Sequence, residues 1–189
     1  MATIKAVRPL VAFLDLIAWS EGTQTHPLTK DNGYDVIASG VDGLHVFTDY
    51  SCHPFTTGRK PIVVREEQQP QYGPEKDKNG NAVLLIHGMI PEIISTASGR
   101  YQIILPTWEH LREAARVGTF SPMNQDLAAL GLIEEAHATE SIVKGSLPMA
   151  FQLVSNTWKR FPGNLYGEGG HSADELLSYY DGLMHTAVS

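Results

Sequence analysis

Between Arg8 and Ser20 the apolar residues Leu10, Phe13, Leu14 and Ile17 recur at helical spacing, and Pro9 suits a helix's first turn. Glu21-Gly22 follows at once. Glycine is the favoured residue just past a helix end, so the pattern predicts a buried helix closing at Glu21. From Thr23 to about Ala97 the pattern changes to short β-rich runs: Tyr34 to Ile37, Leu44 to Thr48, Ile62 to Arg65 and Ala82 to Ile86. The last two flank a polar stretch, Glu66 to Asn81, in which Asn79-Gly80 is a strong turn signal. They predict one hairpin over Arg59 to His87 with a long, mobile tip. From about Pro106 helical spacing returns over Thr107 to Val117, Pro122 to Ala138, Ser141 to Val143, Pro148 to Arg160 and Ser172 to His185. Ser121-Pro122 and Ser146 to Pro148 read as helix starts. Gly163 and Gly167 to Gly170 read as a flexible loop, with Ser172 as the next N-cap. The expectation is an α+β chain forming one domain over 1–189: a leading helix, a small β lobe over about 23–97, and a helical lobe over about 98–189.

Composition narrows the partners. With 42% hydrophobic and 19% charged residues the 189-residue chain is globular in type and long enough to bury a core. A net charge of −7 argues against nucleic acid and anionic membrane, which reward clustered Lys and Arg. It leaves open neutral polymers, held by stacking and hydrogen bonds. The single cysteine, Cys52, cannot form an intramolecular disulfide, so the fold is expected to be stable when reduced. The apolar run Leu10 to Trp19 is interrupted by Asp15, lacks a small-residue cleavage site and is too short to span a bilayer. It therefore fails both as an export signal and as a membrane anchor.

Glu21 carries the sharpest chemistry. A carboxyl at a helix C-terminus meets the negative end of the helix dipole, and burial beside Trp19 adds desolvation; both disfavour the carboxylate. A carboxylic acid protonated near neutral pH is what cleavage of a glycosidic bond requires. Read alone, the segment is more often a solvated glutamate closing a helix, since perturbed carboxyls are the minority case. In Ser98 to Gln102, Gly99 permits close backbone approach, Tyr101 offers a stacking face, and Gln102 offers a donor and an acceptor for a sugar. Trp19, Tyr34, Tyr50, Tyr101 and Tyr166 fall near turns or helix ends, as in a sugar-binding cleft, whereas Trp108 and Trp158 sit in helical patterns that suit a core. The eight histidines are scattered, and none is assigned to catalysis.

An ordered set of segments spans most of the chain: Ala12-Phe13-Leu14-Asp15, Ala18 to Thr23, Gly33 to Ile37, Phe47 to Ser51 with His53-Pro54, and Gly99 to Gln102. Phe120-Ser121-Pro122, Gln125-Asp126, Leu147-Pro148-Met149, Ser155-Asn156 with Trp158, Pro162-Gly163 and Tyr166-Gly167 complete it. In this set the chain resembles the lambda-type phage endolysins, lytic transglycosylases distantly similar to goose-type lysozymes. It departs from them in a longer segment between Pro54 and Ala97.

The resemblance implies a lysozyme-like fold with a cleft between its lobes, and peptidoglycan glycan strands as the substrate. It implies Glu21 as the one catalytic acid and base, with Tyr101 and Gln102 as positioning groups and Tyr34 and Tyr50 as further contacts. It also implies a monomer without metal or cofactor, which accumulates in the host cytoplasm and reaches the wall after a holin opens the membrane. Three alternatives stand beside it. A hydrolytic muramidase would use a second carboxylate, for which Asp31, Asp35 and Asp49 are available. A zinc peptidase would use His45, Asp49 and His53, although that run reads as strand and turn rather than as one helix face. A non-catalytic wall-binding module would need the cleft and the aromatics alone.

Overall fold

A computed structural model describes residues 2, 6–66, 72–76, 82–86, 92–115, 118–163 and 170–185, with 72–76, 82–86 and 115 described by backbone alone. The leading helix, α1, spans Arg8–Ser20 with Pro9 in its first turn, and Ala12 to Ala18 and Ser20 are all buried. A helix hydrophobic on most of its circumference belongs inside rather than on a surface. Accordingly α1 is surrounded by later helices: α3 (Pro122–Glu135), α4 (Thr139–Val143) and α6 (Ala173–His185) all pack on it. Phe13 anchors the packing by stacking on Phe151 and Phe161 and meeting Tyr180 edge-on. α2 (Leu105–Ala115) packs on α3, and α5 (Leu147–Val154) on α4. No helix among the described residues is long and apolar enough to cross a membrane.

Helix ends follow local chemistry. Ser172 caps α6 in a reciprocal box, its hydroxyl accepting from the Glu175 N–H while the Glu175 carboxylate accepts from the Ser172 N–H at 2.7 Å. The helix expected over Pro148 to Arg160 instead stops at Val154. The Ser155 hydroxyl donates back to the Gln152 carbonyl at 2.8 Å, a local bond that competes with helix propagation, and Ser155 to Phe161 run on as turns.

The β region is three antiparallel pairs. β1 (Val36–Gly40) pairs β2 (Gly43–Val46), β3 (Ile62–Arg65) pairs β6 (Ile93–Ser95), and β4 (Tyr72–Lys76) pairs β5 (Ala82–Ile86). This corrects the expected hairpin of Ile62–Arg65 with Ala82–Ile86. The two runs are not partners; the strand that pairs each of them was hidden. β4 reads Tyr-Gly-Pro-Glu-Lys, whose Gly, Pro and charges oppose strand propensity, and β6 has only three residues. The register Tyr72↔Ile86 to Lys76↔Ala82 supplies the order that propensity does not. The Asn79-Gly80 turn and the expected mobile tip lie outside the described residues. β1 begins at Val36 rather than Tyr34, because the Tyr34 N–H is taken by the Asp31 carbonyl in a turn.

Candidate active site

Glu21 is the C-cap of α1, with φ −77° and ψ −7° and its N–H on the Ile17 carbonyl at 2.9 Å. Gly22 follows at φ +72°, a conformation that ends the helix and favours glycine. The Glu21 side chain is only 14% exposed. Burial pushes its carboxyl from 4.5 up to about 7, against the Arg160 guanidinium, which lowers it through charge and hydrogen bonding. Arg160 Nε stands 3.5 Å from Glu21 Oε2. The sequence pointed to desolvation beside Trp19. In the structure Trp19 stacks between the rings of His171 and Tyr179, at centroid distances of 4.1 and 4.2 Å.

The turn after Glu21 is tied to the 98–102 segment. The buried Thr23 hydroxyl donates to the Arg100 carbonyl at 2.6 Å, with the Ala18 carbonyl 3.1 Å away. Gly33 approaches so closely that an added Cβ would lie 2.9 Å from the Thr23 carbonyl carbon. Arg100 is itself fully buried. Its Nη2 donates to Asp15 of α1 at 2.8 Å and to Gln24 at 3.2 Å, its Nη1 bonds the Asn32 carbonyl, and its guanidinium lies over the Tyr34 ring. A buried charge is tolerable only when paired and hydrogen-bonded, and Arg100 is both through its two terminal nitrogens while joining α1 to the β region. Its Nε alone has no hydrogen-bond partner among the described residues. Gly99 sits at φ +76° where any Cβ would collide with the Gln125 carboxamide, whose oxygen accepts the Arg100 N–H at 2.9 Å.

Of the residues expected to contact substrate, two lie inside the molecule. Tyr34 and Tyr101 are buried, pack edge-to-face, and both donate to Asp126 Oδ1, at 2.8 and 2.6 Å. Burial and the Asp126 charge raise the pKa of both phenols, so they stay protonated donors. The Tyr101 carbonyl accepts from the Trp158 indole at 3.0 Å. These tyrosines are thus joined to one another as a floor under the 98–102 segment, with their faces covered in this structure. Gln102 and Tyr50 remain half-exposed. Gln102 stands at φ +50° with its Nε2 on the Gly99 carbonyl, and the Tyr50 hydroxyl donates to Asp31 at 2.7 Å.

The other carboxylates weighed from the sequence have local partners. Asp31 accepts from Tyr50; buried Asp35 accepts from the Lys30 N–H and the Thr29 hydroxyl; exposed Asp49 accepts from the Ser51 N–H, and hydrogen bonding by the Ser51 side chain and then its backbone lowers the Asp49 pKa. The residues of the zinc alternative have separate partners. His45 pairs with Asp42, His53 is buried on the Ile103 carbonyl, and no metal-holding group of three ligands occurs among the described residues.

Two functional neighbours were not singled out from the sequence. Asp126, the shared acceptor of both tyrosines, was quoted only within a family-like pair, yet an Asp in the apolar run of α3 is itself a signal of a buried partner. Arg160 carries no such signal, because its contact with Glu21 is between residues remote in the chain.

The fold and the sequence match those of known proteins. A lambda phage lysozyme complexed with a chitohexasaccharide superposes with a TM-score of 0.73 at 33% identity, covering 96% of this chain and 97% of that one. A further bacteriophage lambda lysozyme structure gives 0.70 at 31%, with the same coverage. The fold is therefore lysozyme-like, α+β. The endolysin of Escherichia phage P2 is 38% identical over 181 residues, 95% of each chain, and that of Escherichia phage lambda is 35% identical over 170 residues, 89% of this chain and 87% of the other. With the Endolysin family model matching residues 11–72 and 82–185, the chain belongs to the endolysin family, phage enzymes of lysozyme fold that degrade peptidoglycan.

Proposed function

We propose that the chain is a peptidoglycan lytic transglycosylase in which Glu21 serves as acid and then base. The observation that carries this reading is a carboxyl at the C-cap of α1 that is largely buried with Arg160 beside it, an environment that raises it to about 7 and leaves both protonation states accessible at neutral pH. Protonated Glu21 gives its proton to the oxygen linking N-acetylmuramic acid to N-acetylglucosamine, and that C–O bond breaks as positive charge develops at the muramic C1. Glu21, now a carboxylate, takes the proton of the same sugar's C6 hydroxyl as its oxygen bonds to C1. The glycan leaves with a 1,6-anhydromuramic end and Glu21 is protonated again. The nucleophile is part of the substrate, so the step gains the advantage of an intramolecular attack.

Gln102 and Tyr50 are the direct sugar contacts in this reading, with Tyr34 and Tyr101 holding the 98–102 segment from beneath. The chitohexasaccharide bound by the lambda lysozyme supports a strand of β-linked N-acetyl sugars as the ligand class. The chain acts as a single domain and as a monomer, released to the wall when a holin opens the membrane. Mass spectrometry of digested glycan tests the chemistry. Anhydro ends that disappear with Glu21→Gln are the expected result, and reducing ends in their place would transfer the assignment to a hydrolase using a second carboxylate.

A further inference from the structure

We propose that Arg160 is a positioning residue for the catalytic acid, its guanidinium holding the Glu21 carboxyl in place and favouring the anionic form that the second proton transfer needs. The proposal deepens the reading of Glu21 as acid and base and rests on it.

Arg160 is anchored to the helix that carries Glu21. It lies between two buried aromatic residues. Trp158 donates its indole N–H to the Tyr101 carbonyl at 3.0 Å, and Phe161 stacks on Phe13 of α1 at a centroid distance of 5.9 Å. The Arg160 carbonyl accepts the His171 N–H at 3.2 Å, and the His171 ring stacks on Trp19, also of α1. Gly170 packs so tightly on the Arg160 backbone that any Cβ there would overlap the Arg160 carbonyl oxygen. The backbone of Arg160 is thus fixed from several sides, while its side chain is 53% exposed and reaches Glu21 Oε2 through Nε.

Of the other ionisable groups on the elements around the end of α1, His26 accepts the Leu28 N–H on Nδ1, while its buried Nε2 has no hydrogen-bond partner among the described residues. Glu175 is held by Ser172 and Asp174 is exposed. Arg100 is joined to Asp15 and Gln24, Asp31 to Tyr50, Asp35 to Thr29 and Lys30, Asp126 to Tyr34 and Tyr101, and Tyr179 to Gln24. His171 stacks on Trp19, and Lys159 beside Arg160 is exposed. Glu21's ion pair among the described residues is with Arg160. An exposed ion pair is worth little, but here the carboxylate partner is largely desolvated and its charge correspondingly less screened.

The division of labour follows. Burial makes Glu21 an acid that holds its proton long enough to protonate the leaving oxygen. Arg160 limits that effect, so that the carboxylate left behind remains stable enough to collect the C6 hydroxyl proton. Without Arg160 the acid step survives and the anion becomes harder to form.

The test is Arg160→Gln in the full chain, read in two ways. The first is the pH profile of kcat/KM on purified peptidoglycan; the second is Glu21's own titration, followed by carbon-13 carboxyl NMR against Glu21→Gln as the blank. Arg160→Gln is expected to move both to higher pH by a three- to tenfold change in proton affinity, about what a half-exposed ion pair supplies. Arg160→Lys, which restores a charge, is expected to recover most of the shift. An unmoved titration, or a Lys variant no closer to the parent than Gln, overturns the proposal. If Glu21→Gln keeps its activity the catalytic reading fails instead, and the NMR titration still decides whether Arg160 governs this carboxyl.

Discussion

Replacing Glu21 by Gln is expected to stabilise the protein, and by an amount that depends on pH. The folded carboxyl titrates near 7 against 4.5 in an ordinary environment, so folding disfavours its charged form. An acid with a raised folded pKa contributes its full relative stability below about 4.5, loses it as pH rises, and has lost all of it once pH exceeds about 7. The gap of about 2.5 pH units, at 1.36 kcal/mol per unit, corresponds to about 3 kcal/mol. With the side chain only 14% exposed, solvent screening removes little of this. Gln has the same shape and no charge, so it escapes the penalty, and half-exposed Arg160 can return to water. For a chain of this size 1 kcal/mol moves the melting temperature by roughly 2–4 °C, which makes the expected gain about 10 °C at pH 8. Thermal unfolding of parent and variant, followed by circular dichroism from pH 4 to pH 9, measures it. The two curves are expected to converge at the acidic end and separate through neutrality, while other titrating groups cancel in the difference. A separation that does not change with pH would refute the reasoning, since it would mean that burial does not hold this carboxyl in its acid form.

Other substitutions test other parts of the structure. His53 is buried with its ring on the Ile103 carbonyl, and burial lowers its pKa from 6.5 to about 4. The neutral ring suits the fold, so the parent is expected to lose about 3 kcal/mol as pH falls from 6.5 through 4, a loss absent from the pH–stability curve of His53→Gln. Tyr101→Phe removes one of the two donors to buried Asp126 and is expected to lower stability by about 1–2 kcal/mol in urea unfolding with KM unchanged. Gln102→Ala, at a half-exposed position, is expected to do the reverse and raise KM severalfold in turbidity assays on cell walls. Thr23→Val leaves the buried Arg100 carbonyl without its hydroxyl donor. It is expected to cost about 1–3 kcal/mol in urea unfolding and to lower kcat by loosening the turn next to Glu21.

What could be read from the sequence divides along physical lines. α1 was legible to the residue, because Pro9, a helical apolar period and Glu21-Gly22 mark its start, face and end within a short span. The cap of α6 was legible for the same reason, since Ser172 and Glu175 complete their bonds within three residues. The β pairing was not. Strand order depends on which distant edge a run meets, and β4 satisfies its backbone in a ladder its own residues disfavour. Tyr34 and Tyr101 show the same limit at the level of side chains. Their chemistry suits a sugar face, but whether a ring faces a cleft or a core was decided by Asp126, on a helix dozens of residues away. Glu21 lies on both sides of this divide. Its place at a helix end is local and could be read directly. How far the pKa rises is set by burial under elements that arrive later in the chain and by Arg160, more than a hundred residues on. In the proposed reading a motif search finds the acid, while the pH range over which it works is set first by its burial and then by Arg160, which no local pattern marks. A relative that keeps the glutamate and has a neutral residue at the position of Arg160 should then work at a more alkaline pH, provided its carboxyl is equally buried.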